Sequence, residues 1–287
     1  MSRIAYVNGR FVRHAEAGVS IEDRGFQFAD GVYEVWAVLG GRLADNDGHF
    51  ERLERSLGEL RIDPPMTRAA LTAVLRETIR RNRITDGIVY LQITRGVARR
   101  DHAFPAAGTP VTVVITAKRV DFDAEAAKAA KGVAVVTQPD IRWGRCDIKT
   151  VGLLPNALAK QAAREAGAYE AWLVDRDGYV TEGASTNAWI VDAQGRLRTR
   201  DTGANILRGI TRKTLIALAA ELQIAVVEQP FTVAEAQAAS EAFITAASTF
   251  VMPIVTIDGR AVGTGRPGPV ATRLRSLYLQ QARNDAR

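Results

Sequence analysis

Cysteine is almost missing from this chain of 287 residues: Cys146 stands alone, which excludes an intramolecular disulfide and any zinc site built on several thiolates. Histidine is scarce as well. His14, His49 and His102 lie too far apart to show a metal-ligand spacing, and no metal is expected. No run approaches the roughly 20 uninterrupted apolar residues of a membrane helix. The opening MSRIAYVNGRFVRH is cut by Asn, Gly and Arg before an apolar signal core could form, so a cytoplasmic address without membrane contact is expected. Internal repeats and low-complexity blocks are absent too.

What is present is ordinary globular material. Hydrophobic residues at 47% and charged residues at 24% exclude a disordered or collagen-like chain, and the length suits about two domains. The net charge of +6 raises the question of nucleic acid. Its distribution answers it: in RETIRRNR and ERLERS basic residues alternate with acids, as on a solvated helix face, so no nucleic-acid partner is expected and small anions remain plausible ligands.

Patterning predicts α+β domains with mixed sheets. IAYVNGRFV reads as a hairpin around Asn8-Gly9, GVYEVWAVL as a strand, and HFERLERSLGEL as a helix with Phe50, Leu53, Leu57 and Leu60 on one face. A helix beginning at a Thr cap follows, then the strands GIVYLQITRG and PVTVVITAKRV. The segment 121–132, DFDAEAAKAAKG, loses the apolar pattern and reads as a linker between a smaller domain, 1–120, and a larger one, 133–287, that carries Lys149. Beyond it come a strand, a helix with Pro155 in its first turn, hairpins at Asp177-Gly178 and Gln194-Gly195, and an amphipathic helix entered through Gly209. Further strands and a closing helix, VATRLRSLYLQQAR, complete the chain.

Lysine is rare: Lys118, Lys128, Lys131, Lys149, Lys160 and Lys213. Five sit among charges or at a strand end. Lys149, in RCDIKTVGLL, is flanked by Ile148, Val151, Leu153 and Leu154, where burial would favour the neutral amine that can form a Schiff base. A lone lysine at a strand end ordinarily snorkels to water, so its context has to decide. ILRGITR places Gly209 and Thr211 at a helix start, where backbone N–H groups and the helix dipole favour an anion, though most such starts are only caps. TEGASTN sets Glu182 before a polar run that could equally be a plain loop. Together a lysine, a carboxylate and a helix N-terminus are what pyridoxal phosphate requires: one for its aldehyde, one for its ring nitrogen, one for its phosphate.

The ordered motifs EDRGFQFADGVYEV, HFERLERS, ITRGVARRDHAFP, DIRWGRCDIKT, LAKQAAREAGAYEA, VTEGASTN and ILRGITR resemble the fold-type IV pyridoxal-phosphate transaminases, most closely the D-amino acid transaminases, over essentially the whole chain. The resemblance implies that Lys149 forms the Schiff base, that Glu182 faces the pyridine nitrogen, and that Arg52, Ile210 and Thr211 hold the phosphate. It also implies that Tyr33, Arg100 and His102 hold the substrate α-carboxylate, Arg100 and His102 reaching over from the neighbouring subunit of a homodimer. Tyr169 and Glu170 are left with a structural role, and Cys146 with packing. One departure stands out: TAAST places Ala246 and Ala247 where many relatives carry a phosphate-binding Thr, leaving backbone N–H groups and Ser248 to serve. The expected activity is ping-pong transfer of an amino group from a D-amino acid to a 2-oxo acid, of the D-alanine and 2-oxoglutarate type. The alternatives within the fold are a branched-chain L-amino acid transaminase, an (R)-amine transaminase and aminodeoxychorismate lyase.

Overall fold

The computed structural model describes residues 3–285. By internal packing the described residues divide into two compact units, the first running to Asp121 and including Ile148–Gly152 and residues 283–285, the second formed by Phe122–Asp147 and Leu153–Ala282.

The first unit opens with β1 (Ile4–Val7) and β2 (Arg10–Arg13), joined at Asn8-Gly9, where both residues take positive φ as a tight hairpin turn demands. A one-turn helix, α1 (Arg24–Phe28), then leads into β3 (Gly31–Leu39) and β4 (Arg42–Leu43). The helices α2 (Asn46–Leu60) and α3 (Arg68–Arg81) follow, the latter capped by the Thr67 side chain on Ala70 N–H, and then β5 (Gly87–Thr94) and β6 (Thr112–Arg119). The six strands pair in the order β2-β1-β6-β5-β3-β4 and every pairing is antiparallel, so this sheet is not mixed as the patterning suggests. Its connections explain this: hairpins and helical returns bring each strand back beside a neighbour running the other way. Val32, Trp36, Val89, Leu91, Ile93 and Ile115 alternate onto one face and meet Phe50, Leu53 and Leu57 of α2 and Leu71, Leu75 and Ile79 of α3.

The second unit begins with α4 (Phe122–Lys131), which occupies most of the segment read from sequence as a linker. Alanine-rich composition, acids in the first turn, lysines in the last and a Glu125–Lys128 ion pair at 2.6 Å support a helix without a strong apolar stripe. The chain continues through β7 (Val133–Pro139), α5 (Leu154–Glu165), β8 (Glu170–Val174), β9 (Val180–Gly183), β10 (Asn187–Val191) and β11 (Leu197–Thr199). It ends with α6 (Ile210–Glu221), β12 (Val226–Glu228), α7 (Val233–Gln237), β13 (Glu241–Ala246), β14 (Phe250–Ile257), β15 (Arg260–Ala261) and α8 (Pro269–Asp285). Here the sheet is mixed: β12-β11-β10-β13-β14-β7-β8-β9, with β15 beside β14 and with parallel pairs at β11/β12, β14/β7 and β7/β8.

Candidate active site

Lys149 lies on the short strip Ile148–Gly152, which groups with the first unit and not with the larger C-terminal body expected to carry it. The strip runs against the start of β3. Tyr33 N–H donates to Lys149 O at 3.0 Å, Val151 N–H donates to Gly31 O at 3.1 Å, and Val32 bridges Thr150. Ile148 enters the core, whereas Leu153 and Leu154 stand exposed and Lys149 itself is half-buried, so the apolar enclosure expected around the amine is present on one side only. The Leu side chains are outward because α5 carries Leu154 and Leu158 one turn apart on its exposed side. Lys149 Nζ sits 4.1 Å from the centroid of the Tyr33 ring, which stacks on Tyr90 at 5.5 Å. Tyr90 donates to Gln92 Oε1 at 2.7 Å, and burial pushes its hydroxyl up to about 12.

On the core-facing side of β3, Glu34 takes a position that Val32 and Trp36 fill with apolar groups. Its carboxylate is fully buried and accepts from Arg52 Nε, Arg52 Nη2 and His49 Nδ1, each at 2.7 Å. Burial alone would raise its pKa, but the charge and hydrogen bonds of Arg52 and the His49 bond outweigh that and hold it at about 2. His49 goes the other way: burial lowers it against the pull of Glu34, so the ring is held neutral beside Trp36. Arg52, expected at the phosphate, therefore has its guanidinium plane fixed by Glu34.

Arg100 and His102 lie on the exposed loop after β5, and both rest on Phe28 of α1: the Arg100 guanidinium is 4.8 Å from its ring centroid and the His102 ring 5.5 Å away. Among the described residues, no hydrogen bond or ring contact joins either of them to Tyr33. The loop is tied down by Arg24, whose Nη1 donates to the carbonyls of Asp101 at 2.6 Å and Ala103 at 3.2 Å.

In the second unit Glu182, on β9, is buried and accepts from Arg142 Nη1, from Asn187 Nδ2 at 2.9 Å and from Leu207 N–H at 3.2 Å. This set consists of donors only, which an ionised carboxylate satisfies. Arg142 also grips Asp140, through Nε at 3.0 Å and Nη2 at 2.7 Å. Arg142 and Asn187 lie inside the motifs DIRWGRCDIKT and VTEGASTN but do not stand out there as site residues; their one signal is an arginine and an amide near an acid that has to be buried. Asn187 links Glu182 to the phosphate candidates, since its Nδ2 also donates to Leu207 O at 2.9 Å just before α6. That helix starts at Gly209 without a side-chain cap, leaving first-turn N–H groups at Ile210 and Thr211 without intrahelical partners. Thr211 is buried, its hydroxyl 3.4 Å from that of Tyr278. Ala246 closes β13 and Ala247 follows it, both half-buried.

Glu170 is buried in a different set, accepting from Ser185 Oγ at 2.7 Å and Ala171 N–H at 3.0 Å with Lys160 at 3.2 Å. Tyr169 donates to Glu125 Oε2 at 3.1 Å. Cys146 is half-buried and donates to Trp143 O at 3.1 Å; burial pushes its thiol up to about 11, away from thiolate chemistry.

A family model described as amino-transferase class IV matches residues 31–257. The D-alanine aminotransferase of Bacillus licheniformis is 41% identical over 278 residues, covering 96% of each chain. That of Staphylococcus haemolyticus is 41% identical over 274 residues, covering 95% of each. Among solved structures, the branched-chain amino acid aminotransferase from Escherichia coli superposes with a TM-score of 0.87 at 26% identity, covering 100% of this chain and 96% of that one. The branched-chain aminotransferase from the thermophilic archaeon Thermoproteus uzoniensis, solved with norvaline, gives 0.83 at 28% identity, covering 98% and 94%.

Proposed function

The chain belongs to the class IV aminotransferases, and from that premise we propose that it moves the amino group of a D-amino acid, D-alanine foremost, to a 2-oxo acid such as 2-oxoglutarate, in ping-pong order. The family is pyridoxal-phosphate-dependent. The residues present fit that group: an amine at Lys149, a buried carboxylate at Glu182 that accepts from Asn187 and Leu207, and an uncapped helix start at Ile210 and Thr211 for a phosphate. What carries the choice of a D-amino acid is the likeness to the D-alanine aminotransferases, and the exposed pair Arg100 and His102, set on one ring, offers donors suited to an α-carboxylate. The D-alanine aminotransferases at about 40% identity over nearly the whole chain support it.

When bound, pyridoxal phosphate supplies an electron sink for the bond to the substrate Cα hydrogen. Lys149 would hold the cofactor through its Nζ in the resting enzyme and, once released as a free amine, would carry the proton taken from the substrate Cα. Glu182 holds the proton on the pyridine nitrogen, with Arg142 and Asn187 fixing its carboxylate from the side. Ile210 N–H and the Thr211 hydroxyl bind the phosphate, with Arg52 adding positive charge and the backbone N–H groups of Ala246 and Ala247 completing the cradle. Tyr33, Arg100 and His102 bind the substrate carboxylate. Arg100 and His102 serve the site of a neighbouring copy in a cytoplasmic homodimer, for which the exposed Ile21, Phe26, Ile141, Trp143, Leu154 and Leu158 offer apolar surface to be covered.

A branched-chain L-amino acid activity is the second reading, favoured by the solved structures of that kind. The visible spectrum of the purified enzyme separates the two. Conversion of the bound cofactor to its amine form by D-alanine, and not by L-alanine or L-leucine, is the expected result; conversion by L-leucine alone would reverse the assignment.

A further inference from the structure

We propose that Phe28 is a positioning residue for the substrate carboxylate, its ring acting as the platform that orients Arg100 and His102, with Arg24 locking the loop beneath them. This rests on the reading of Arg100 and His102 as carboxylate ligands.

The loop that carries them is exposed, and long charged side chains on such a loop ordinarily sample many rotamers. Among the described residues the Arg100 guanidinium has no hydrogen-bond or ion-pair partner; its contact is the Phe28 ring at 4.8 Å. An aromatic face attracts a guanidinium without consuming its N–H donors, so Arg100 is held in place with its donors available. The His102 ring lies on the same Phe28 side chain, 5.5 Å away and inclined by 53°. One aromatic group therefore sets the spacing of both ligands.

Phe28 is itself held firmly. The Asp23 carboxylate caps α1 by accepting from Gly25 N–H at 2.8 Å, and its other oxygen accepts from the Thr94 hydroxyl at 2.9 Å, which fastens the helix to β5. A Cβ on Gly25 would stand 2.2 Å from Thr94 Cγ2, so the helix approaches the strand as closely as only glycine permits. Arg24, nearly inaccessible at 3% exposure, joins helix to loop: Nε binds Asp30 at 2.8 Å while Nη1 takes the carbonyls of Asp101 and Ala103. Arg95 completes the frame, pairing with both oxygens of Asp30 at 2.7 and 2.9 Å and stacking 3.6 Å from the Phe104 ring centroid. The loop is thus fixed on either side of His102, and Phe28 directs what it presents.

The test compares Phe28→Leu, Phe28→Tyr and Arg100→Leu in the pyridoxal-phosphate holoenzyme. In a ping-pong enzyme the amino donor and the oxo-acid acceptor place their carboxylates in the same trap. Phe28→Leu, which keeps bulk but removes the aromatic face, should raise KM for D-alanine and for 2-oxoglutarate in parallel by about five- to tenfold, with kcat within about twofold. Phe28→Tyr retains the face and should restore both KM values. If Phe28→Leu does not fold, Phe28→Met carries the same expectation. Arg100→Leu separates the two levels. Unchanged KM in Arg100→Leu removes the carboxylate reading itself, whereas a raised KM there with an unchanged KM in Phe28→Leu, or a fall confined to kcat, overturns the role of Phe28 alone.

Discussion

The side chain of Asn187 occupies the space that a side chain at Gly209 would need: a Cβ built there falls 2.0 Å from Asn187 Oδ1. Asn187 cannot yield freely, because its Nδ2 is bound to Glu182 and to Leu207 O inside a buried site. Gly209→Ala should therefore push Asn187 off both acceptors at a cost of about 1–3 kcal/mol, loosening Glu182, the carboxylate proposed for the pyridine nitrogen, and the start of α6 together. Spectral titration of the apoenzyme with pyridoxal phosphate should show affinity lowered by about fivefold or more. Unchanged affinity would mean that Asn187 does not couple the two.

Glu34 makes acid stability a readable property. Its pKa in the folded chain, about 2, lies below its ordinary 4.5, so the stability it contributes is complete above about 4.5 and is lost as pH falls toward 2. His49 is lowered from its ordinary 6.5, so the unfolded chain takes up that proton first and stability begins to decline as pH drops below 6.5. Glu34→Gln should flatten the slope between 4.5 and 2 in denaturant unfolding followed across pH. At neutral pH it should cost about 3–5 kcal/mol by removing the buried counter-charge of Arg52. Adding Arg52→Met should return part of that loss. A slope equal to that of the unaltered protein would take the effect away from Glu34.

Local chemistry was legible in the sequence because it is written at short range. Asn8-Gly9 turns, Thr67 caps, and Phe50, Leu53 and Leu57 face the core as their spacing requires. The helix at 122–131 was hidden because alanine and paired charges stabilise it without an apolar stripe. Lys149 was visible as an odd lysine, but its place beside Tyr33 depends on strand pairing between residues more than a hundred positions apart, which no local pattern reports. The same holds for Arg142 on Glu182 and for Phe28 under Arg100: one is a long-range ion pair, the other a ring beneath a distant loop.

Lys149 offers a clean separation of chemistry from fold. Its backbone carbonyl holds Tyr33 N–H, so Lys149→Ala keeps the strip in register while removing the amine. Turnover of D-alanine should fall by at least about 10³-fold, whereas the unfolding midpoint should stay within a few degrees. A variant that keeps more than a tenth of the activity would exclude Lys149 as the proton carrier.

Ala247, with Ala246, stands where the family resemblance leads one to expect a phosphate-binding threonine, and it brings no hydroxyl to the proposed cradle. It follows the last residue of β13 and is half-buried, with the turn closed by Thr249 N–H on Ala246 O at 3.3 Å. A threonine there adds a hydroxyl without disturbing a buried side chain, and one hydrogen bond to a charged group contributes about 1.5–3 kcal/mol. Ala247→Thr should therefore tighten pyridoxal phosphate by roughly tenfold or more in the same apoenzyme titration. It should also slow loss of the cofactor on dialysis, with little change in the KM for D-alanine, because the added group acts on the phosphate and not on the substrate carboxylate. Equal retention in both proteins would show that the backbone N–H groups of Ala246 and Ala247, with Ser248 beside them, already saturate that side of the phosphate.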